Sequence, residues 1–228
     1  MDFVEGEVLY FDKPYKWTSF DVVGRVRWQL CHSIGVKKLK VGHAGTLDPL
    51  ATGVLVVCTG KATKRIEELQ YGTKEYLATL KLGATTPSFD LEKEIDATYP
   101  TEHITRTMVE EVLQQFKGTI QQIPPVFSAC KVDGKRAYMS ARHGQEVELK
   151  PKTLTIDEIE LVDYSMPEIA IRVVCSKGTY IRALARDIGQ ALQSGAHLTA
   201  LRRTRVGDVT VEQCHDPEKF IEMIKTTL

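Results

Sequence analysis

Hydrophobic and polar residues follow two periods along this chain, and together they predict helices and strands in irregular succession. Residues 74–82 (KEYLATLKL) alternate with a period of two, which predicts a strand with Tyr76 on its apolar face. Apolar positions three and four apart predict a helix after Thr18, which has the capping-box spacing with Asp21. The other predicted strands are 8–11, 54–58, 126–132, 153–162, 168–176 and 198–206, and the other predicted helices are 61–69, 107–116, 138–141, 180–193 and 217–224.

The order of these elements favours one fold class. Many strands interrupted irregularly by few helices indicate an α+β fold with a mixed, largely antiparallel sheet flanked by helices, rather than a doubly wound parallel fold. A length of 228 residues fits one large domain or two small ones, and we predict a single domain over residues 1–228. Residues 88–103 are polar, acidic and poorly periodic, so we predict a mobile insertion near 84–104.

Composition excludes several classes of protein. The chain is 43% hydrophobic and 26% charged, as globular proteins usually are. It has no apolar run long enough to span a bilayer, and residues 1–6 lack the features of a signal peptide, so we expect a cytoplasmic location and no membrane partner. The five cysteines are odd in number and form no C-x-x-C pair, which argues against a disulfide framework and a zinc site and favours small buried side chains.

Charge is balanced overall but uneven along the chain. Seven basic residues and one acid lie between positions 172 and 205, a stretch that we call the basic cluster. A second basic group surrounds residues 41–53. Such groups either bind phosphates or are solvated faces, and the pattern alone leaves both possibilities open. The second group comprises Lys37, Lys38, Lys40, Lys61, Lys64 and Arg65.

Residues 41–53 (VGHAGTLDPLATG) concentrate the candidate chemistry. Three glycines permit unusual backbone angles and close approach of another molecule. Pro49 restricts the backbone of Asp48 to extended conformations, so the carboxylate lies in a stiff turn. A carboxylate held in this way either caps the turn or takes part in a reaction, and the spacing alone favours the structural turn.

Residues 42–53 resemble the signature of the TruB family of tRNA pseudouridine synthases, whose pattern is close to G-H-x-G-T-L-D-P-L-A-T-G. The resemblance covers nearly the whole chain. It implies a single catalytic domain that isomerises uridine-55 in the T loop of tRNA to pseudouridine after the base has flipped out. The further matching segments are DKP at 12–14 with TS at 18–19, KEY at 74–76 with LG at 82–83, QIPPVFSA at 122–129, CSKGTYIR at 175–182, and GAHL at 195–198 with LRRT at 201–204.

The resemblance implies two catalytic residues. Asp48 would supply the carboxylate that attacks the substrate, and its reference pKa of about 3.9 makes it an anion at neutral pH. Which atom it attacks stays open. Arg182 would hold that carboxylate charged and oriented. The structural alternative for Arg182 is an exposed position near the start of a helix.

The resemblance also implies four substrate-binding residues. Tyr76 would stack on the target uracil, and Tyr180 and Leu201 would contact the base. His43 would fill the gap that the flipped base leaves, because an imidazole can stack. The structural alternatives are ordinary packing for Tyr76 and Leu201, and a turn hydrogen bond or a metal ligand for His43. No second histidine or cysteine has the spacing that supports a metal ligand.

The isomerisation involves no redox change, so no cofactor and no metal are expected, and the implied partner is the T stem-loop of tRNA bound by a monomer. Two rival functions stay open, a synthase for another RNA and a non-catalytic RNA-folding protein.

The sequence departs from the family pattern in three places. Lys16 stands where glycine is usual, residues 84–90 lack the denser T-D-T-x-D pattern, and the chain has no room for a C-terminal RNA-binding domain of the PUA type.

Overall fold

The computed structural model describes residues 2–126, 131–132, 135–136 and 149–227. They belong to two compact units, the first formed by Met1–Tyr76 with Leu201–Leu228 and the second by Leu77–Ala200. Strands β4 (Lys74–Leu82) and β12 (Ala196–Val206) each begin in one unit and end in the other.

The first unit combines a small sheet with three α-helices. Strand β3 pairs antiparallel with β1 and β2, and parallel with β12, which in turn pairs antiparallel with β13. The elements are β1 (Val8–Lys13), β2 (Val41–Ala44), β3 (Ala51–Thr59), β13 (Val209–Thr210), α1 (Ser19–Ser33), α2 (Ile66–Leu69), α5 (Pro217–Thr227) and the 3-10 helices Gly60–Arg65 and Val211–Gln213.

Helix α1 begins where the sequence predicts. The Thr18 hydroxyl accepts the Asp21 N–H at 3.0 Å, and the Asp21 carboxylate accepts the Thr18 N–H at 2.7 Å, so the predicted capping box is confirmed. The apolar face of α1 joins strands β1 and β3 and helix α5 in one buried cluster, which includes Val22, Val26, Leu30, Leu9, Phe11, Leu55, Val57 and Phe220. Because this face is buried, the start of α1 is a rigid support for the residues around it.

The second unit is built on long antiparallel strands. Its strand order is β4-β11-β10-β7, with β10 antiparallel to both β11 and β7. Among the described residues of this unit, the other elements are two short hairpins, β5 with β6 and β8 with β9, and two helices. Their bounds are β5 (Ala84–Thr85), β6 (Ala97–Thr98), α3 (Arg106–Gln115), β7 (Gly118–Gln122), β8 (Lys131–Val132), β9 (Lys135–Arg136), β10 (Lys152–Ser165), β11 (Glu168–Cys175) and α4 (Ile181–Ala191).

The predicted fold class is confirmed, since both units mix helices with largely antiparallel strands. The alternation in β4 is also confirmed, because every second side chain from Lys74 to Leu82 is buried. Strands β2 and β7 were not predicted, and the predicted helix 61–69 is a 3-10 helix followed by the short α2. Helix 138–141 and residues 127–130 of the predicted strand 126–132 lie outside the described residues.

Two predictions from the composition, on membrane spans and on the cysteines, can be compared with the structure. Within the described part of the chain, no helix has both the length and the apolar character needed to cross a bilayer. Cys58 and Cys175 are buried, as predicted, while Cys31 and Cys214 are half-buried. Cys130 lies outside the described residues. The single domain and the mobility of residues 84–104 stay predictions.

Candidate active site

Residues 41–53 form a hairpin between β2 and β3, with Asp48 in the connecting turn. The Asp48 carbonyl accepts the Ala51 N–H at 3.1 Å, which closes the turn. Gly53 has a φ of +103°, and a Cβ there would lie 2.1 Å from the Arg203 carbonyl oxygen. Only glycine fits this contact between the neighbouring strands β3 and β12, so this motif glycine is required by the fold itself.

The backbone is held on both sides of Asp48. On one side, the Ser19 hydroxyl accepts the Leu47 N–H at 2.9 Å and donates to the Leu47 carbonyl at 3.0 Å. On the other side, the Pro49 carbonyl accepts the Lys16 N–H at 2.9 Å. The half-buried Asp48 therefore lies between two residues whose peptide groups are fixed by the segment before α1 and the first residue of α1.

Lys13 adds a buried cation beneath the turn. Its ammonium donates to the carbonyls of Pro14 at 2.9 Å, of Pro49 at 3.2 Å and of Trp17. Burial lowers the pKa of Lys13 to about 8, and the negative charge of Asp48 opposes that shift. At neutral pH the amine is therefore protonated, and its positive charge stays close to Asp48.

Arg203 links the two ends of the hairpin loop. Only 2% of it is exposed, and its guanidinium donates from Nε to the Val54 carbonyl at 2.8 Å and from Nη2 to the Gly45 carbonyl at 3.0 Å. These carbonyls flank the turn on its two sides. Arg203 thus joins β12 to the loop of residues 45–54, and its buried position is incompatible with binding an RNA phosphate.

The arginines of the basic cluster of residues 172–205 are buried or ion-paired, while its one lysine, Lys177, is exposed, and phosphate binding by this cluster stays a prediction. Arg203 is buried, and most of its other arginines are ion-paired within their own unit. The pairs are Arg172 with Glu158 and Glu160, Arg182 with Asp90, Arg186 with Asp187, Arg202 with Asp12, and Arg205 with Glu75. Clustering in sequence does not tell a buried or paired arginine from an exposed one.

The second basic group, around residues 41–53, contains both ion-paired and unpaired side chains. Lys61 and Arg65 pair with Glu5 and Glu68. The other four members are exposed and have no ion pair within the described part of the chain, so they form a basic surface that we call the lysine group. Its members are Lys37, Lys38, Lys40 and Lys64.

His43, Tyr76 and Leu201 lie in the same unit as Asp48. His43 is a half-buried residue of β2, and among the described residues its Nδ1 has no hydrogen-bond partner. Burial, and then the charge of Arg203, lower the pKa of His43, so its imidazole is neutral at pH 7. Tyr76 is 8% exposed on the buried face of β4, and Leu201 pairs with Ala51 where β12 runs beside the start of β3.

Tyr180 and Arg182 lie in the second unit, at the start of α4. Tyr180 is the residue before the helix, and the Gln122 side chain brackets its backbone. Gln122 Oε1 accepts the Tyr180 N–H at 2.9 Å, and Nε2 donates to the Tyr180 carbonyl at 3.2 Å. Gln122 is 1% exposed, so these bonds are shielded from water. No local pattern in the sequence predicts this contact between residues 58 positions apart.

Arg182 is buried, so its predicted alternative, an exposed helix position, is wrong. Its guanidinium lies 3.7 Å from the Asp90 carboxylate and donates to the Ser88 carbonyl at 3.2 Å. The side chains of Arg182 and Asp90 are 5% and 7% exposed. The Thr86 hydroxyl in turn donates to the Asp90 carbonyl at 2.7 Å, which holds this loop in place. Sequence analysis missed Asp90, although residues 84–90 were recognised as a variant motif.

Residues 84–90 are anchored to the start of β12. His197 Nδ1 lies 2.9 Å from the Ala84 carbonyl, and the Leu198 N–H donates to the Phe89 carbonyl at 2.9 Å. The departure from the T-D-T-x-D pattern therefore still yields a loop that contacts Arg182. Among residues 2–126, 131–132, 135–136 and 149–227, no group of three or more metal-ligating side chains is present.

Comparison with known proteins gives the class to which this fold and motif belong. Residues 32–181 match the model for the N-terminal domain of the TruB family pseudouridylate synthases. Residues 182–227 match the model for the C-terminal domain of tRNA pseudouridylate synthase B. The chain belongs to the TruB family and is a pseudouridine synthase, an enzyme of the isomerase class.

Similar proteins from two bacteria share the name of a particular enzyme of this family. The chain is 75% identical over 224 residues to tRNA pseudouridine synthase B of Phocaeicola vulgatus, covering 98% of this chain and 95% of that protein. It is 53% identical over 225 residues to the protein of the same name from Flavobacterium johnsoniae, covering 98% of each. Among solved structures, a Cbf5–Nop10–Gar1 complex contains a chain with a TM-score of 0.72 and 29% identity. This match covers 96% of our chain and 54% of that one, so our chain spans about half of its length.

Lys16 adopts the conformation that glycine adopts without strain. Its φ is +66°, and its N–H holds the Pro49 carbonyl. A non-glycine residue therefore holds a left-handed backbone at this position. The strain of a left-handed residue with a Cβ is about 1–2 kcal/mol.

We expect Lys16→Gly to raise the free energy of unfolding by about 0.5–1 kcal/mol, because relief of strain exceeds the extra entropy of an unfolded glycine. Urea denaturation measures the change. Lys16→Ala is the matched control, since it removes the same charge but keeps a Cβ, and it should stay near the wild type. Equal stabilisation by both variants would refute the strain argument.

We expect Gln122→Met to lower the free energy of unfolding by about 1–3 kcal/mol, because the Tyr180 N–H loses the acceptor that the buried Gln122 side chain supplies. The side chain of the neighbouring Gln121 is exposed and donates to the Thr153 hydroxyl, so Gln121→Met should change stability by less than about 0.5 kcal/mol. Chemical denaturation of both variants checks this. A Gln122 variant as stable as the Gln121 control would contradict a stabilising role for the two hydrogen bonds between Gln122 and the Tyr180 backbone.

Proposed function

We propose that this pseudouridine synthase acts on tRNA and isomerises uridine-55 of the T loop. The observation that carries the proposal is the uninterrupted motif of residues 42–53 in a chain whose relatives, matched over 98% of this chain, are named tRNA pseudouridine synthase B. The reaction breaks the bond from ribose C1′ to N1, turns the base and joins C5 to C1′. C5 loses a proton and N1 gains one, so the atoms balance without a cofactor.

In this proposal Asp48 is the nucleophile. Its carboxylate attacks the flipped nucleotide, is released when the new carbon–carbon bond has formed, and returns to its starting state. Two observations support this role. The backbone on both sides of Asp48 is held, which favours a fixed direction of attack, and the buried ammonium of Lys13 places a positive charge close to the carboxylate.

Arg182 is proposed to orient the Asp48 carboxylate. A guanidinium that already contacts Asp90 and the Ser88 carbonyl has a restricted orientation, as such a role needs. Arg182 is only 4% exposed, which argues against a phosphate contact on the surface. Arg182 would therefore affect turnover more than affinity for RNA.

The remaining site residues are proposed to hold the flipped base. Tyr76 would stack on the uracil, with Tyr180 and Leu201 as further contacts. His43 would occupy the vacated position in the RNA stack, and its neutral imidazole suits stacking without a charge to desolvate. The orphaned Nδ1 of His43 supports this role, because an RNA group could satisfy it.

The proposed partner is the T stem-loop, bound by a monomer in the cytoplasm. Recognition of an RNA stem depends largely on its shape and its phosphates, and the exposed lysine group near the hairpin suits that contact. The rival functions, a synthase for another RNA and a silent RNA-folding protein, predict a different modified position and no modification, respectively.

We expect Asp48→Asn to abolish pseudouridine formation while tRNA affinity stays within about threefold, because the amide is isosteric but a poor nucleophile. The test incubates an unmodified tRNA transcript with each protein and maps pseudouridine. Asp208→Asn, at an exposed turn between β12 and β13, is the control and should keep full activity. Turnover by the Asp48 variant would refute the nucleophile, and wild-type product only at another uridine would refute position 55.

Replacing the lysine group by glutamine should weaken tRNA binding and reduce the dependence of affinity on salt. Each lost phosphate contact lowers the slope of log K against log salt by about 0.9. Binding of unmodified tRNA at several salt concentrations measures this slope. Lys61→Gln is the control, because Lys61 is already paired with Glu5 at 2.7 Å. An unchanged slope in the quadruple variant would mean that these lysines form a solvated face.

A further inference from the structure

Ser19 is joined to the residue before Asp48 by two hydrogen bonds. Its Oγ accepts the Leu47 N–H at 2.9 Å and donates to the Leu47 carbonyl at 3.0 Å. Ser19 and Leu47 are only 2% and 4% exposed, so water does not compete for these bonds. The hydroxyl thus satisfies both backbone polar groups of Leu47, 28 positions away in sequence.

The position of Ser19 is itself fixed. It is the first residue of α1, directly after the capping box formed by Thr18 and Asp21. The next turn of the helix buries Val22 and Val23, which are 0% and 1% exposed in the core of the first unit. The hydroxyl is therefore attached to a rigid element, and the Asp48 turn takes its position from that element.

Fixing Leu47 restricts the direction of the Asp48 side chain. The peptide plane that enters Asp48 is held by Ser19, and Pro49 restricts the backbone of Asp48 on the other side. The Pro49 carbonyl is bound by the Lys16 N–H and by Lys13. With both neighbours fixed, the Cα–Cβ bond of Asp48 has little freedom to turn.

We propose that Ser19 is a positioning residue for the isomerisation: it holds the Asp48 carboxylate in line for attack through the backbone of Leu47 and contacts no substrate atom. This inference rests on the proposed function, in which Asp48 is the nucleophile. It extends the site to the start of α1, a region with no reactive group of its own.

A small displacement of a reacting group is enough to slow a reaction strongly. A shift of about 1 Å lowers rates by up to about 100-fold. Loss of the Ser19 hydroxyl frees Leu47 on both its N–H and its carbonyl, so the turn loses its fixed geometry on one side. Affinity for tRNA depends on a wide surface and stays largely unchanged.

The experiment measures single-turnover rate, tRNA affinity and thermal unfolding of Ser19→Ala in the full chain. We expect the rate to fall about 10- to 100-fold, with the dissociation constant within about twofold of the wild type. Ser19→Thr, which keeps the hydroxyl, should restore most of the rate. Ser19→Cys keeps the size of the side chain but bonds weakly, so it should be intermediate and is the second variant if Ser19→Ala fails to fold.

Val23→Ala is the matched control for stability, since it removes buried methyl groups from the same helix and should destabilise the protein at least as much. It should keep the wild-type rate at a temperature where it is folded. A wild-type rate for folded Ser19→Ala or Ser19→Cys, or equal slowing by Val23→Ala, would overturn the inference. Slow Ser19 variants beside an active Asp48→Asn would instead refute the proposed nucleophile, and with it the positioning role.

Discussion

The hydrogen bonding of the main chain around Asp48 is the constraint on which the rest of the first unit depends. A turn that contains Pro49 lacks one N–H and cannot form a regular ladder, so its remaining polar groups need partners from elsewhere. The last residue of β1, Lys13, the Lys16 N–H of the segment after it, and the first residue of α1, Ser19, supply them. The capped start of α1 and the position of this turn are therefore parts of one arrangement.

The same constraint applies to two of the buried cations in this unit, Lys13 and Arg203. Burying Lys13 or Arg203 without partners would be highly unfavourable, and both donate hydrogen bonds to backbone carbonyls. The carbonyls offset desolvation but do not neutralise the charge. The positive potential thus remains near Asp48, where a carboxylate pair for each cation would have cancelled it.

Local patterns in the sequence predicted the local features of the structure. The alternation in β4 and the capping box of α1 depend on neighbouring residues, and both are confirmed. Strand β7 has the largely polar sequence GTIQQ, so no apolar period identifies it. The contact of Arg203 with Val54 joins residues 149 positions apart, which no window on the sequence detects. Its position in the basic cluster left phosphate binding and a solvated face open, whereas its hydrogen bonds are with the protein backbone.

In the second unit, too, polar contacts position the proposed site residues. Gln122 fixes the backbone of Tyr180, and the loop that contains Ser88 and Asp90 holds the guanidinium of Arg182. In both units, a proposed site residue is placed by a buried polar side chain that bonds to its backbone, bonds to a neighbouring residue, or lies against its side chain. This explains why the matching motifs extend well beyond the groups that would react: a few side chains could supply the chemistry, but their directions depend on partners distant in sequence and closely packed in the fold.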